Sequence, residues 1–185
     1  MTRATEAATD GDAGARIVLG KPVPDLILCY MICLQDAANG FVGAMMLTDS
    51  RVRPLHFGFV QPVRPSRMQR LLYGATLDEH VKVDVIASRL WQGCPKKPDV
   101  VFLGTPDLLP VRRLTSTPTA FLCKVPHDQN GAVNLSALRY DAGGNRGDWD
   151  AVGCVLAELE TQVDLVEPFD RMREALKEAI KPGNP

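Results

Sequence analysis

Arginine is the residue type whose spacing in this sequence most clearly suggests a chemistry. Five arginines fall within twenty residues: Arg51, Arg53, Arg64, Arg67 and Arg70. A guanidinium group binds phosphate oxygens through paired hydrogen bonds, so such a cluster is typical of a surface that contacts nucleic-acid phosphates. Three of the five fall at the start of a predicted helix, where positive charge adds to the helix dipole and costs stability unless an anion offsets it.

The same arginines could instead form an ordinary solvated face that pairs with Asp78 and Glu79. Composition limits the phosphate-binding interpretation but does not decide between it and the solvated face. Lys and Arg total 21 against 22 for Asp and Glu, which gives a net charge of -1. This balance excludes the strongly basic composition of a general nucleic-acid binder, so any nucleic-acid binding would have to use a local patch.

Cysteine and histidine spacing excludes the common zinc and nucleophile motifs. The five cysteines include no CxxC pair, and His56, His80 and His127 are far apart in the sequence. A structural zinc site is therefore not predicted. The sequence also has no Gly-x-Ser-x-Gly motif, P-loop or dinucleotide fingerprint. An odd number of cysteines without a disulfide framework indicates reduced thiols and a cytoplasmic protein.

The elements that must position the arginines begin with three predicted strands. The first strand is predicted over residues 25–35, and its apolar run at 26–34 is too short for a membrane span and is typical of a strand buried on both faces. Residues 41–48 follow after a short turn, and residues 55–61 alternate large apolar residues with His56 and Gly58. Because the three segments are close together and joined by short turns, they favour an antiparallel meander.

Helices and strands are predicted to alternate after the meander. Ser66 can cap a helix that starts at Arg67, and the spacing of Thr76 and Glu79 is that of a capping box for a helix that ends near Trp91. The segment 105–118 is predicted to be irregular. Further strands are expected over 99–103 and 119–125, and helices over 149–161 and 168–180.

One α/β domain is predicted over residues 17–181, with tails at 1–16 and 182–185. The first sixteen residues are small and polar and lack the apolar core of a signal peptide, which is typical of a disordered tail. No stretch is long and apolar enough to predict a membrane partner. Together these features predict a soluble protein.

The order of the first elements resembles the ribonuclease H-like fold. Four pieces of sequence carry the resemblance: Asp36 at the end of the first strand, Gly-Phe-Val-Gly-Ala-Met-Met-Leu at 40–47, Leu-His-Phe-Gly-Phe at 55–59 and Arg-Met-Gln at 67–69. In that family three antiparallel strands lead into a helix and then a parallel strand. The resemblance covers residues 25–107 and implies a mixed α/β sheet that begins with a three-stranded antiparallel meander, followed by helix–strand units.

The resemblance also implies a metal-dependent nuclease site, which this sequence keeps only in part. Active members bind two divalent metals through four carboxylates, because Mg²⁺ prefers oxygen ligands and paired ions hold the attacking and leaving oxygens. Asp36 fits the first position, and Asp107 with Asp148 or Asp150 could fill later ones. Gln69 stands where the family has Glu, so one ligand is lost and the binding of Mg²⁺ or Mn²⁺ would be weakened.

Simple structural roles are also open for these aspartates. Asp36 could cap a turn, because Asp is a common turn residue. Asp148 is well placed to be the N-cap of the helix predicted from Trp149. Asp107 lies in a Pro-flanked loop and could take either kind of role.

Three functions remain open on the sequence. The first is a non-catalytic or weakly active ribonuclease H-like domain that needs no cofactor and binds nucleic acid or a protein partner through the arginines. The second is a metal-dependent nuclease that uses Asp36, Asp107 and Asp148 or Asp150 with Mg²⁺ or Mn²⁺. The third is a structural subunit of a larger assembly without nucleic acid. The neutral Gln69 disfavours the nuclease.

Overall fold

A computed structural model of the chain describes residues 16–36, 40–125 and 137–181. The predicted tails, apart from Arg16, lie outside the described residues. The described chain begins with a short antiparallel ribbon of β1 (Ile17–Val18) and β2 (Lys21–Pro22).

An antiparallel meander forms the first half of the main sheet. Its strands are β3 (Leu28–Asp36), β4 (Gly40–Thr48) and β5 (Pro54–Val63). β4 pairs with β3 on one side and with β5 on the other, and β5 is the edge strand of the sheet. The meander predicted from the short turns is confirmed.

Parallel strands extend the sheet from the other side of β3. β6 (Val100–Leu103) pairs parallel with β3, and β7 (Thr119–Val125) pairs parallel with β6. β8 (Ala137–Asp141) then pairs antiparallel with β7. The six-stranded mixed sheet has the order β5-β4-β3-β6-β7-β8, which confirms the predicted mixed α/β class.

One face of the sheet is covered by helical chain between β5 and β6. α1 (Arg67–Tyr73) is followed by a short turn and then by α2 (Leu77–Glu79), a π-helical stretch (His80–Ala87) and α3 (Ser88–Gln92). The last three run on without a break, and we call them the composite helix. It covers the predicted helix, although much of it is wound as a π-helix and the predicted capping box is absent: the Thr76 hydroxyl donates a hydrogen bond to the Tyr73 carbonyl and does not cap the helix.

A 3₁₀-helix and two α-helices complete the fold. The 3₁₀-helix Pro106–Arg113 connects β6 to β7, in a segment that the sequence had predicted to be irregular. α4 (Arg146–Leu159) and α5 (Glu167–Ala179) cover the opposite face of the sheet. Within the described ranges, no helix has both the length and the apolarity needed for a membrane span.

Two apolar cores lie on the two faces, because β3 is buried on both sides. Tyr30 and Ile32 point towards α4 and α5, whereas the alternate side chains Cys29, Met31 and Cys33 point towards the composite helix. A strand covered on both faces reads as a continuous apolar run, which is why the sequence predicted this strand correctly. The core beneath the composite helix borders the site described next.

Candidate functional site

Lys82 lies between two carboxylates beyond the carboxyl end of β6. Its ammonium group is 2.5 Å from Asp107 Oδ2 and 4.0 Å from Asp78 Oδ2. Asp107 is in the first turn of the 3₁₀-helix that follows β6, and Asp78 and Lys82 lie one turn apart on the composite helix. The Lys82 side chain is 13% exposed, whereas those of Asp107 and Asp78 are 46% and 56% exposed, so water reaches the carboxylates but hardly the lysine.

Burial and ion pairing act in opposite directions on the pKa values at this site. Burial lowers the pKa of Lys82, but the hydrogen bond and charge of Asp107, with Asp78, outweigh it and leave the pKa raised. Burial raises the pKa of Asp107, but its hydrogen bond with Lys82 outweighs this and leaves the pKa lowered. Both groups are therefore charged at neutral pH. Burial raises the pKa of the neighbouring Cys33 thiol to about 12, so that thiol is neutral.

Asp148 is buried and holds an arginine. Its side chain receives two hydrogen bonds from Arg112, Nε to Oδ2 at 2.5 Å and Nη2 to Oδ1 at 3.2 Å. The backbone N–H of Thr119 donates a third hydrogen bond to Oδ2, at 3.0 Å. Only 3% of Asp148 is exposed, so this paired, charge-assisted contact ties α4 to the 3₁₀-helix and to the start of β7.

The N-cap role predicted for Asp148 is wrong. α4 begins three residues earlier, and Asn145 is its N-cap, with Oδ1 accepting a hydrogen bond from the Asp148 backbone N–H at 3.2 Å. Asn is as good a cap as Asp, so sequence alone did not separate the two. Asp148 therefore lies in the first turn, where its carboxylate turns inwards to Arg112.

The structure does not bring Asp107 and Asp148 together. Asp107 follows the carboxyl end of β6, whereas Asp148 binds the amino end of β7. Because β6 and β7 are adjacent parallel strands, these two aspartates lie at opposite ends of the strands. Asp36 ends β3, where its backbone pairs with Gly40, and its side chain is outside the described set. Asp150 is an exposed residue of α4.

The described residues do not fit a pair of divalent metals. Asp107 and Asp148 each already hold a cationic side chain, from Lys82 and Arg112 respectively. Of the residues described, no three His, Cys, Asp or Glu side chains lie close enough together to hold a metal ion. A hard dication would have to displace a lysine or a buried arginine from its carboxylate before it could bind.

Sequence reasoning missed both of these cationic side chains. The four-residue spacing of Asp78 and Lys82 on a helix was a usable signal, because residues at that spacing are neighbours on a helix surface. The ion pair of Arg112 and Asp148 joins residues 36 positions apart in the chain, and no local sequence pattern predicts it.

β5 separates the five predicted arginines into two groups. Arg51 and Arg53 precede the strand, and their backbone N–H groups each donate a hydrogen bond to Asp49 Oδ1 at 2.9 Å. The other three follow the strand: Arg64, Arg67 and Arg70. Ten strand residues at roughly 3.3 Å each place the groups about 30 Å apart along the sheet edge. All five arginines are exposed.

Asp78 and Glu79, the two carboxylates that the sequence suggested as partners for these arginines, pair with other residues. Asp78 faces Lys82, and Glu79 Oε1 is 2.7 Å from Arg113 Nη1. No acidic residue lies between Asp49 and Asp78 in the sequence. The edge strand β5 and helix α1 are therefore built from a stretch of chain that carries positive charge alone. We call residues 50–77 the acid-free stretch.

Comparison with known proteins gives distant structural neighbours only. No family model and no curated protein matches the sequence. An Endonuclease V variant from Ciona intestinalis, in complex with a 23mer DNA containing an inosine followed by a ribo-adenosine, is 11% identical with a TM-score of 0.35. That match covers 56% of this chain and 47% of the other.

Two further solved structures are similar at the same level. Ciona intestinalis Endonuclease V with a 24mer DNA is 12% identical with a TM-score of 0.34, over 56% of this chain and 48% of that chain. Marinitoga piezophila Argonaute with a 5' OH guide RNA is 11% identical with a TM-score of 0.30, over 54% and 16%. This chain spans less than half of each of these proteins, and likeness at this level assigns no function to it.

Proposed function

We propose that this chain is a non-catalytic domain of the ribonuclease H-like type that binds nucleic acid through the five arginines at positions 51, 53, 64, 67 and 70. The observation that supports the proposal is the acid-free stretch, which contains all five arginines: two precede the edge strand β5, one directly follows it and two lie on α1. A chain with a net charge of -1 has no general affinity for polyanions. A local stretch that excludes acidic residues is therefore the feature that would attract a phosphate backbone.

The edge strand supports a single-stranded nucleic acid as the ligand. Between the two arginine groups, β5 exposes the apolar side chains of Leu55 and Phe59. Proteins that hold single strands combine positive charge along the backbone with aromatic side chains on which bases stack. Arginines at both ends of β5 with Phe59 between them have this arrangement, whereas a duplex would keep its bases away from the ring.

The absence of catalysis is inferred from the two ion pairs. In the ribonuclease H-like nucleases that this sequence resembles, carboxylates hold the metals that activate water and stabilise the leaving oxygen. Here Lys82 neutralises Asp107, and Arg112 neutralises Asp148. The positive charge that a metal would supply is thus provided by the chain itself, where it stabilises the fold and offers no open coordination position.

Binding and cleavage can be measured in one titration. Labelled single-stranded DNA, single-stranded RNA and duplex DNA would be titrated with the protein at several salt concentrations, and the samples resolved on a gel with and without Mg²⁺ or Mn²⁺. We expect salt-sensitive binding that favours single strands, without cleavage. Changing Arg64, Arg67 and Arg70 together to Gln should weaken binding to all sequences and reduce the salt slope by about one per lost phosphate contact.

The control is Arg173→Gln, which removes an exposed arginine that pairs with Asp170 on α5, outside the acid-free stretch. It should leave nucleic-acid binding unchanged. Metal-dependent cleavage that is lost in Asp107→Asn would instead establish the nuclease. Failure to bind any of the three nucleic acids would reject the proposed function and leave a structural subunit as the remaining hypothesis.

A further inference from the structure

Helix α1 presents an apolar face on the protein surface. None of its seven residues is buried, and Met68, Leu71 and Leu72 are 63%, 71% and 76% exposed. At 3.6 residues per turn, these three side chains lie within about 100° of the helix circumference. Arg67 and Arg70 fall on the adjoining side, so the apolar face has a basic border. We call these five residues the α1 face.

Both ends of α1 are fixed, so the exposure does not come from a frayed segment. At the start, Ser66 Oγ accepts a hydrogen bond from the Gln69 backbone N–H at 3.2 Å, and Gln69 Oε1 accepts one from the Ser66 N–H at 2.8 Å. This capping box satisfies two backbone donors. At the end, the Tyr73 ring stacks on the His80 ring of the composite helix, with centroids 4.2 Å apart.

A short helix without buried side chains lacks its usual source of stability. Isolated helices shorter than about 12–15 residues are marginal in water, and most helices in proteins are held by an apolar face packed on a core. α1 has such a face, but the face points outwards. Exposed apolar faces rimmed by polar residues are typical of interaction sites. A helix that is already formed also loses little conformational entropy on binding.

We propose that the α1 face docks an acidic amphipathic helix of another protein. The apolar side chains at positions 68, 71 and 72 have the spacing with which one helix packs against another. Carboxylates on the flank of the partner helix would meet Arg67 and Arg70. The acid-free stretch supplies the charge complementarity, because no acidic residue of α1 or β5 would repel such a partner.

Charge also argues against a second copy of this chain as the occupant. A symmetric dimer places the same patch on both subunits, so Arg67 and Arg70 would face equivalent arginines. The four acidic side chains of α5 already have partners: Glu167 pairs with Arg171, Asp170 with Arg173, Glu174 with Lys177 and Glu178 with Lys181. A different protein that presents carboxylates avoids the repulsion between equivalent arginines.

The docking can be tested with a designed peptide. The probe is a labelled helical peptide of Glu, Leu and Ala that presents one leucine face flanked by glutamates. A matched peptide carries Lys in place of every Glu. We expect the acidic peptide to bind the full chain, and the basic one to bind at least about tenfold more weakly, as the loss of complementary charge predicts.

Variants of the full chain then locate the site. Leu71→Gln with Leu72→Gln should weaken binding of the acidic peptide by about tenfold or more, the usual effect of removing interface anchors. Leu55→Gln is the matched control, because Leu55 is also an exposed leucine of the acid-free stretch but lies on β5, and it should bind as the parent does. Because all three leucines are exposed, these changes should leave the fold intact, which circular dichroism would check.

Three results would overturn the inference. Equal binding of the acidic and basic peptides, or no binding of the acidic one, would remove the charge argument. Concentration-dependent dimerisation that is lost in the Leu71→Gln and Leu72→Gln variant would make a second copy the occupant. Binding to vesicles that contain phosphatidylserine, lost in the same variant, would make the α1 face a membrane contact. None of these outcomes depends on nucleic-acid binding, so the proposed function is tested separately.

Discussion

The ion pair between Asp148 and Arg112 shows that a buried carboxylate can depend on a partner that is distant in the sequence. Asp148 is buried, and Arg112 is the only cationic side chain among the described residues that pairs with it. Removing one partner of a buried ion pair is costly because the other charge is then left in a poorly solvated site. The neighbouring Arg113 offers a comparison, because it forms two ion pairs on the surface with Glu79 and Asp84.

We predict that Arg112→Met lowers the free energy of unfolding by about 3 kcal/mol or more. The reason is that the buried Asp148 carboxylate would lose its cationic partner. Arg113→Met, the matched change one residue along, should cost less than about 1 kcal/mol, since exposed ion pairs contribute little. Urea unfolding of the two variants beside the parent measures both values. Equal losses would mean that Asp148 finds water or another donor once Arg112 is gone.

At this scale the sequence showed which residue types are present but not what they contact. For Asp107 and Asp148 it left open a metal or a simple structural role, and in the structure these aspartates pair with Lys82 and Arg112. The residue types are visible in the sequence. Which of them form ion pairs is not visible in the sequence. The pairing depends on where the 3₁₀-helix and the composite helix lie on the sheet.

The composite helix differs from the predicted helix in its hydrogen-bonding pattern. The apolar positions of the composite helix and its start were predicted from local pattern, which depends on residues three and four apart. The π-helical stretch His80–Ala87 was not, because its hydrogen bonds span one residue more and leave no distinct sequence pattern. A contact with β4 occurs in this stretch. A Cβ atom built on Gly43 would lie 2.3 Å from Cγ2 of Ile86.

We predict that Gly43→Ala lowers the free energy of unfolding by about 1–3 kcal/mol, because an added methyl group overpacks the contact between β4 and the composite helix. Ile86→Leu removes the Cγ2 methyl that blocks the way while conserving volume, and it should recover part of the loss when combined with Gly43→Ala. Thermal unfolding of the two single variants and the double variant gives the coupling energy.

Gly58→Ala is the matched control for this prediction. Gly58 lies opposite Met45 on the edge strand, and the only atom near its added Cβ would be His56 Nε2 at 3.3 Å. The end of that side chain can move aside, so the change should alter stability by no more than about 0.5 kcal/mol. A loss as large as that of Gly43→Ala would show that glycine is needed for strand geometry in general and not for this contact.

The main elements of the molecule follow one another along the chain as predicted, but the order of the strands in the sheet was not predicted. The meander, the following helix and strands at β6 and β7 were expected, whereas the ribbon of β1 and β2 was not. β8 was missed, because its five residues follow a polar, Gly-rich segment and include Arg139 and Asp141. The position of β5 at the edge could not be read from the sequence either. The edge position depends on how the other strands pair with one another. It is also the reason that the acid-free stretch is exposed.

The two proposed ligands share Arg67 and Arg70, which has a consequence for the whole molecule. A phosphate backbone that uses the arginines at the end of β5 and an acidic helix on the α1 face would compete for the same guanidinium groups. We therefore predict that the acidic amphipathic peptide displaces a bound single-stranded oligonucleotide, whereas a scrambled acidic peptide of equal charge but without an apolar face does so far less effectively. Fluorescence anisotropy of the labelled oligonucleotide follows the displacement.

Leu71→Gln with Leu72→Gln separates competition from general charge effects. These leucines carry no charge, so the variant should bind the oligonucleotide as the parent does and yet resist displacement by the amphipathic peptide. If peptide and oligonucleotide instead bind together, seen as a further rise in anisotropy on adding unlabelled peptide, the two ligands use separate arginines. The nucleic acid would then have to be held mainly by Arg51 and Arg53, on the far side of β5 from α1.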